Sequence, residues 1–375
     1  MAPPTNALSE RSQAIDIMRG LTIAVMIVVN TSSDEAMAYT PLLHATWNGL
    51  TLADMVFPAF LFVVGAALSF TLGKHQLSTP TAALRRIATR TALIFLCGYL
   101  LSWLASLQIE PGGHWTLASL AHTRIPGVLQ RIALCYGCAA LIVHCCGRSG
   151  AAVASVVALL GYWWLMHAFG DYSLAGNAAG KFDRLVLGAA RMRQEQGVAF
   201  DSEGVLSSVP AVVNVLAGYL AGSFVRASGE TYEAAARLAL GAVICIAMAL
   251  LWGNVFPINK KIWTSSYALC NVGIDLGLWA LLICLIRRGA QRGWGHFFEI
   301  FGRNALFIYM FTEVGNTLVG LVHIGGGSAF NSVNTGGFQS WAGAKPGALL
   351  YATACMLACW LVAWVMDRKH IYLRL

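Results

Sequence analysis

The chain has 375 residues, of which 57% are hydrophobic and 11% are charged, and its formal net charge is +8. A water-soluble domain typically has about 25% charged residues, so this composition excludes an ordinary water-exposed surface. The sequence therefore predicts an integral membrane protein.

Apolar windows recur along the whole chain. Windows of roughly 18 to 25 residues are long enough to cross a hydrocarbon core of about 30 Å as helices. None alternates like a barrel strand, and unpaired backbone groups in lipid are costly, so we predict about ten helices. The predicted spans are residues 14–33, 50–73, 88–108, 125–147, 151–169, 205–225, 234–253, 264–287, 295–317 and 347–367. The fold class is thus an all-α polytopic membrane protein, with residues 1–375 forming one transmembrane domain.

The distribution of Lys and Arg indicates the orientation of the helices. With the N-terminus inside, about fifteen basic residues fall on the inner side and about eight on the outer side, which predicts that both termini are cytoplasmic. The long connections lie on the outer side, where we expect recognition to occur. The inner basic residues include Arg11, Arg19, Lys74, Arg85, Arg86, Arg90, Arg226, Arg237, Arg287, Arg288, Arg292, Arg368, Lys369 and Arg374.

All ten cysteines fall within predicted helices. This placement argues against a disulfide framework. The Cys135-x-x-Cys138 spacing on a buried apolar helix is more typical of core packing than of a metal site or a redox pair. We assign no metal.

Several polar side chains fall inside the apolar spans. Each charged group costs about 2.5 to 3.5 kcal/mol on insertion scales, so each is a candidate for function. The alternative is that they pair with one another and fix helix packing. These residues are Asn30, Asp54, Arg131, Asn214, Asp275, Arg303, Asn304 and Glu313. In the predicted orientation Asn30, Asp54, Arg131 and Glu313 lie towards the outer face.

His44 is the strongest candidate for a catalytic residue. It lies in the loop between the first two predicted helices, before a run that contains Trp47, Asn48 and Asp54. Imidazole exchanges protons near neutral pH, and a carboxylate such as that of Asp54 can orient the ring and stabilise its cationic form. The pattern predicts a histidine and carboxylate pair at the outer face.

Two long motifs resemble those of a known family. HATWNGLTLADMVFP at 44–58 and RIPGVLQR at 124–131 are similar to motifs of the heparan-α-glucosaminide N-acetyltransferases and their bacterial relatives. Further matches include DIMRG at 16–20, FDSEG at 200–204 and PINK at 257–260. The resemblance extends over about residues 11–375.

The resemblance implies a multi-pass enzyme of the bacterial inner membrane. It would move acetyl from cytosolic acetyl-CoA to the amine of a glucosamine-type amino sugar on the periplasmic side. The family's active histidine falls on His44, and the asparagine beside it falls on Asn30. The resemblance also implies a homodimer among membrane lipids, and we expect no nucleic-acid partner. Thr312 precedes Glu313 where the human family member has histidine, so Glu313 receives a supporting role.

These residues suggest a mechanism. His44 would act as general base, Asn30 would donate a hydrogen bond to the developing oxyanion, and Asp54 would hold His44. An acetyl-histidine intermediate is an open alternative to direct transfer. For acetyl-CoA we assign Arg131, Gln130 and Asn304. For the acceptor we assign Trp47, Asn48, Glu313 and Lys260.

Two other functions remain open from the sequence. The Arg19-x10-Asn30 spacing looks like a signature of membrane-bound O-acyltransferases, which would make the chain an O-acetyltransferase of a cell-surface glycan. Alternatively, Asp54, Arg131 and Asp275 would mark the path of a polar-solute transporter, although the chain lacks the internal repeat typical of transporters.

Overall fold

The computed structural model describes residues 12–32, 37–74, 80–109, 114–290, 293–324 and 327–373. Arg11, Arg292 and Arg374 of the predicted inner side lie outside these ranges. The described helices are α1 (Gln13–Thr31), α2 (Leu52–Lys74), α3 (Pro80–Leu104), α4 (Val128–Phe169), α5 (Ala178–Leu187), α6 (Ser208–Ser228), α7 (Tyr232–Gly253), α8 (Ser265–Arg287), α9 (Trp294–Arg303), α10 (Ala305–Leu321), α11 (Ala329–Ser332), α12 (Ser340–Ala342) and α13 (Ala344–Arg368).

Strands within the described ranges form three short antiparallel hairpins. They are β1 (Gln108–Ile109) with β2 (Trp115–Thr116), β3 (Gln194–Glu195) with β4 (Val198–Ala199), and β5 (His323–Ile324) with β6 (Gly327–Ser328). Short 3-10 helices cover Thr40–Leu42, Leu120–His122 and Ala189–Arg191, and a π-helix covers Val333–Gln339. The predicted all-α class is confirmed.

Eight of the described helices are long and apolar enough to cross a membrane, namely α1, α2, α3, α4, α6, α7, α8 and α13. α10 is a shorter apolar helix. α4 has 42 residues and turns at Gly147, whose φ of 62° and ψ of −158° are not helical. It therefore contains the predicted span 151–169 and all but the first three residues of the predicted span 125–147, and the connection between them is a bend. These helices confirm a polytopic membrane protein.

The span predicted at 295–317 is wrong as a single helix. The structure ends α9 at Arg303 and begins α10 at Ala305, because Asn304 between them has φ −125° and ψ 33°. The Asn304 side chain donates to the Ile371 carbonyl at 3.0 Å and accepts from Leu373 N–H at 3.1 Å. The break thus anchors the C-terminal segment, a contact between distant parts of the chain.

The third span begins earlier than predicted, at Pro80 instead of residue 88. Proline suits the first position of a helix, where its missing N–H has no intrahelical partner to bond. The additional turns carry Arg85 and Arg86 on the helix instead of in a loop.

The centre of the bundle depends on close contact between helix backbones. A Cβ at Gly65 of α2 would collide with the Val215 carbonyl of α6, and one at Gly218 of α6 would collide with the Phe62 carbonyl of α2. Small residues at such crossings allow helices in a membrane to approach closely. The crossing holds α2, whose first turn carries Asp54.

The bundle has two distinct ends. At one end His44, Asp54 and Lys260 lie together, and we call it the His44 end. At the other end Arg19 of α1 donates to the Gly302 carbonyl at 3.2 Å, close to the anchored C-terminal segment, and we call it the Arg19 end.

Candidate active site

Asp54 is held firmly at the start of α2. Its Oδ2 accepts from Ala45 N–H at 3.1 Å, Thr51 N–H at 3.1 Å and Thr51 Oγ1 at 2.9 Å. The bond from Thr51 N–H caps the helix, since Asp54 is the third residue of α2 and Thr51 precedes it. These bonds stabilise a carboxylate whose side chain is only 1% exposed.

The remaining oxygen of Asp54 orients His44. Oδ1 lies 2.8 Å from His44 Nδ1. A carboxylate in this position favours the tautomer with its proton on Nδ1, which leaves the Nε2 lone pair free. The His44 side chain is 49% exposed, so reactants in solution can reach it. The structure therefore brings together the pair that the sequence predicted.

Lys260 reaches the same pair from the segment between α7 and α8. Its Nζ lies 3.0 Å from His44 Nδ1 and 3.4 Å from Asp54 Oδ1. Burial lowers the pKa of Lys260, and the negative charges of Asp54 and Glu203 oppose this effect. Lys260 thus adds a poorly hydrated cation to the site.

Backbone and amide contacts join the Lys260 segment to the His44 loop. Gly49 N–H donates to the Ile258 carbonyl at 2.8 Å, and Asn259 Nδ2 donates to Asn48 Oδ1 at 3.0 Å. Asn48, predicted to bind the acceptor, therefore connects the two loops.

A cavity of about 110 Å³ opens beside His44, and we call it the His44 cavity. Apolar side chains from α1, α2 and α4 form most of its wall. Its polar lining residues are Asn30, His44, Glu203, Lys260 and Tyr309. Asn30 also donates to Glu313 Oε1 at 3.4 Å. The predicted residues Asn30 and His44 thus line one cavity, with Asp54 directly behind His44.

Glu203 and Tyr309 line the cavity although sequence reasoning did not choose them as site residues. Arg124 binds Glu203 at 2.6 Å and Asp201 at 2.6 and 2.7 Å. Burial acts to raise the pKa of Glu203, but the guanidinium groups of Arg124 and Arg131 outweigh it and hold the pKa well below its usual value. Glu203 belongs to the FDSEG motif that carries the resemblance, and this was the signal that could have identified it.

Arg131 lies beneath the site, away from the lining of the His44 cavity. It is 1% exposed and donates to the Gly204 carbonyl at 2.9 Å and to Ser207 Oγ. Its guanidinium carbon lies 4.8 Å from the Trp263 ring centroid. Nε and Nη1 have no hydrogen-bond partner among the described residues. Arg131 therefore supports the segment that carries Glu203.

Three further predicted residues also have structural partners. Gln130 Nε2 donates to Ser102 Oγ at 3.1 Å, and Asn304 anchors the C-terminal segment. Trp47 Nε1 donates to the Tyr172 carbonyl at 2.8 Å, and the Trp47 ring packs on Phe200. Among the described residues that line the His44 cavity, none of these three is present.

A second cavity, of about 650 Å³, adjoins the His44 cavity and reaches Arg19 and Gly302 at the Arg19 end, and we call it the central cavity. The two share Phe60, Leu129 and Ile132 in their walls. A third cavity of about 660 Å³, the α3 cavity, adjoins the central cavity at Arg90 and Tyr136. The basic residues that line these two larger cavities are Arg19, Arg85, Arg86, Arg90 and Arg303.

The geometry suits acyl transfer chemistry. An oriented imidazole with a free nitrogen can act as a base or a nucleophile, and the Asn30 amide can stabilise a developing oxyanion. The basic cavities can attract an anionic reactant from the opposite end.

Comparison with known proteins places this geometry in context. The family model described as heparan-alpha-glucosaminide N-acetyltransferase, catalytic, matches residues 11–251. The chain is similar to heparan-alpha-glucosaminide N-acetyltransferase of Homo sapiens, with 27% identity over 372 residues, and to the protein of that name from Mus musculus, with 26% identity over 369 residues. Each comparison covers 82% of this chain and 54% of the relative, so the chain spans about half the length of these curated relatives. The family match includes Asn30, His44, Asp54 and Glu203 and ends before Lys260.

Proposed function

We propose that this chain, which belongs to the heparan-alpha-glucosaminide N-acetyltransferase family, is a transmembrane acetyltransferase that uses acetyl-CoA and an amino sugar. The observation that carries this proposal is the His44 and Asp54 pair, with 2.8 Å between Nδ1 and Oδ1, in the wall of a cavity that Asn30 also lines. The glucosamine-type acceptor is inferred from the activity for which the human and mouse relatives are named.

In the proposed reaction the neutral acceptor amine attacks the acetyl carbonyl of the thioester. His44 Nε2 takes the amine proton as the C–N bond forms, and Asp54 stabilises the resulting imidazolium through Nδ1–H. The Asn30 amide donates to the oxyanion, an interaction worth about 3 to 4 kcal/mol in well-studied enzymes. The C–S bond then breaks, and the leaving thiolate takes the proton from His44.

A two-step route through acetyl-His44 uses the same atoms. Nε2 would attack the thioester, the C–S bond would break, and the thiol would leave before the amine attacks the acetyl-imidazole. Rapid mixing with acetyl-CoA alone separates the routes, because only the two-step route releases one thiol per site without an acceptor.

We infer that acetyl-CoA enters from the Arg19 end. The α3 cavity carries Arg85, Arg86 and Arg90, and the central cavity continues to the wall that it shares with the His44 cavity. Phosphates suit the arginine guanidinium groups, and a largely uncharged pantetheine arm suits the apolar passage. These arginines are the candidate phosphate contacts, while Arg131, Gln130 and Asn304, which each have a structural partner, stay predicted contacts of other parts of acetyl-CoA.

The acceptor would approach from the His44 end. Glu313 and Lys260 are its candidate contacts, while Trp47 and Asn48 hold the loops around them. We further propose a bacterial inner-membrane location with both termini cytoplasmic, so that the donor is cytosolic and the acceptor periplasmic. A homodimer is proposed from the family resemblance alone.

The test is thiol release by the purified protein in detergent, supplied with acetyl-CoA and glucosamine. We expect amine-dependent release in the wild type and a loss of about 100- to 10,000-fold in His44→Ala, since general base catalysis contributes that much. His122→Ala removes an exposed histidine from another loop and serves as the control.

Other outcomes of this assay, or of a transport assay, would favour a different function. Thiol release with a glycan hydroxyl but with no amino sugar would favour the O-acetyltransferase. Uptake of labelled sugar by vesicles, independent of acetyl-CoA and of His44, would favour the polar-solute transporter. Wild-type turnover in His44→Ala would overturn the assigned base.

A further inference from the structure

Lys260 adds a third ionisable group to the His44 and Asp54 pair. Its Nζ lies 3.0 Å from His44 Nδ1, 3.4 Å from His44 Nε2 and 3.4 Å from Asp54 Oδ1. The Lys260 side chain is 16% exposed, whereas that of His44 is 49% exposed. A charge this close, in a poorly hydrated position, changes the protonation of its neighbours.

The two oxygens of Asp54 have different partners. Oδ2 accepts three hydrogen bonds from the backbone and hydroxyl groups of Ala45 and Thr51. Oδ1 faces His44 Nδ1 at 2.8 Å and Lys260 Nζ at 3.4 Å. Histidine and lysine therefore share one carboxylate oxygen.

The position of the His44 proton decides whether Lys260 can coexist with a catalytic base. When Nδ1 carries the proton, it donates to Asp54 Oδ1, Lys260 pairs with the same oxygen, and Nε2 is free. When Nδ1 has no proton, it can accept from Lys260, and Nε2 carries the proton and cannot act as a base. When both nitrogens carry protons, the ring cation and the ammonium share one carboxylate.

Several other described charged or titratable groups lie around the pair, and they come from different elements. Glu203 from the segment after β4 opposes the effect of burial on Lys260, and Arg131 from α4 adds to it. α8 contributes a phenol that donates to the Asp54 backbone carbonyl at 2.6 Å, and α10 contributes a phenol and a carboxyl group near Asn30. The phenol of α8 is Tyr267, and the phenol and carboxyl group of α10 are Tyr309 and Glu313.

We propose that Lys260 is a positioning residue for acetyl transfer, which acts through Asp54 to keep the resting His44 ring neutral. This inference rests on the proposed function. By pairing with Oδ1, the ammonium weakens the stabilisation that Asp54 gives to a second positive charge on His44. The Nε2 lone pair of His44 then stays free to take the amine proton. The proton that His44 takes from the amine passes to the thiolate, so Lys260 itself neither gains nor loses a proton.

The experiment compares the pH dependence of kcat/KM in wild type, Lys260→Met, Lys260→Arg and the matched control Lys261→Met. Lys261 is the next residue and pairs with Glu195 instead of Asp54. In Lys260→Met the midpoint of the acid limb should rise by about 1 to 3 pH units, the size of shift that one nearby charge produces. Lys260→Arg and Lys261→Met should keep the wild-type midpoint.

Two results would overturn the inference. A uniform loss of activity in Lys260→Met at every pH, with an unchanged midpoint, would indicate a purely structural role. A higher KM for the amino sugar with an unchanged midpoint would indicate acceptor binding, the role predicted from the sequence.

A second readout separates this inference from the proposed function. The His44 ring is titrated by NMR in protein with labelled histidine, and its signal is assigned as the one missing from His44→Gln. The titration midpoint should rise in Lys260→Met even if no acceptor is ever turned over. A wild type without thiol release but with this shift would refute the proposed function and keep the inference, and an unshifted midpoint would refute the inference.

Discussion

Asp54 determines the geometry of the candidate site because one of its oxygens caps α2 and the other orients the His44 ring. Its Oδ2 bonds the backbone on both sides of the loop that begins after His44, at Ala45 and Thr51. Its position in the first turn of α2 favours a negative charge, since helix N-termini are electropositive. The His44 ring is therefore oriented by a carboxylate that is itself fixed by the start of a helix, so that its placement does not depend on a bound reactant.

Asp183 should make the stability of the protein depend on pH. Burial raises the pKa of Asp183 to about 6, although Val205 and Leu206 N–H groups donate to it at 3.0 and 3.1 Å. The folded pKa exceeds the value of about 3.9 for an unfolded chain, so the folded protein holds a proton that the unfolded chain releases. The contribution is fully present below about pH 4 and is lost as pH rises through about 6. The Tm in detergent should therefore fall over this interval.

Asp183→Asn should remove this part of the pH dependence, since an amide does not titrate and its oxygen can still accept both N–H groups. Asp171→Asn changes an exposed carboxyl group in the segment before α5 and should retain the wild-type dependence between about pH 4 and 6. A Tm profile for Asp183→Asn that overlays the wild-type profile would show that Asp183 is ionised throughout.

At the level of single residues, the sequence predicted contacts that are local along the chain. His44 and Asp54 are ten residues apart, and Asn30 lies in the last turn of the preceding helix. Glu203 and Tyr309 reach the same cavity from distant segments, and no spacing rule connects them to His44. Asn304 is polar within an apolar span and Gln130 belongs to the RIPGVLQR motif, and each also makes a structural contact that no sequence spacing predicts.

Helix boundaries were predictable where hydropathy changes sharply and less so where tertiary contacts decide them. α6, α7 and α8 begin and end within three residues of their predicted bounds. The break at Asn304 depends on the C-terminal segment, which pairs with it across the bundle. Hydropathy averaged over neighbouring residues contains no information about such a partner. The sequence therefore predicts one helix over residues 295–317.

Gly65 tests whether the α2 and α6 crossing carries the stability of the bundle. Gly65→Ala places a methyl group against the Val215 carbonyl, and the helices must separate. Overpacking of this kind costs about 1 to 3 kcal/mol. We expect a lower free energy of unfolding in denaturant titrations in detergent. Activity should also fall because α2 carries Asp54.

Gly161→Ala is the matched control for this substitution. Gly161 lies in α4 with no heavy atom within 4 Å of an added Cβ. Alanine there should be neutral or stabilising by up to about 1 kcal/mol, since it favours the helix. An equal decrease in the free energy of unfolding in Gly65→Ala and Gly161→Ala would show that close packing at the α2 and α6 crossing does not determine the stability.

At the scale of the whole molecule, the two ends of the bundle are suited to reactants of different charge. The Arg19 end opens into cavities lined by arginines, whereas the His44 end offers a small, mostly apolar cavity with His44, Asn30 and Glu203 in its wall. Three side chains, Phe60, Leu129 and Ile132, belong to both the central and the His44 cavities. In the proposed reaction this arrangement would bring the anionic donor and the sugar acceptor to the same site from opposite ends of the bundle.

Arg90 provides the test of this route because it lines both of the larger cavities. Its guanidinium carbon lies 4.7 Å from the Tyr136 ring centroid, and its Nε has no hydrogen-bond partner among the described residues. If Arg90 binds a phosphate of the donor, Arg90→Ala loses a charged hydrogen bond worth about 1.5 to 3 kcal/mol. The kcat/KM for acetyl-CoA should then fall by about 10- to 100-fold, and its decrease with added salt should become weaker.

Arg90→Ala should have the wild-type kcat/KM for a donor that has no phosphates. Acetyl-N-acetylcysteamine keeps the thioester and part of the pantetheine arm, so Arg90→Ala should use it as well as the wild type does. Arg237→Ala, which removes an exposed arginine of α7 paired with Glu233, should change neither donor's kinetics. An equal loss with both donors would place the effect of Arg90 in folding instead of donor binding, and the passage between the two ends would lose its main support. A loss confined to acetyl-CoA would assign the α3 cavity to the phosphate-bearing part of the donor, because acetyl-N-acetylcysteamine has no phosphate for Arg90 to bind.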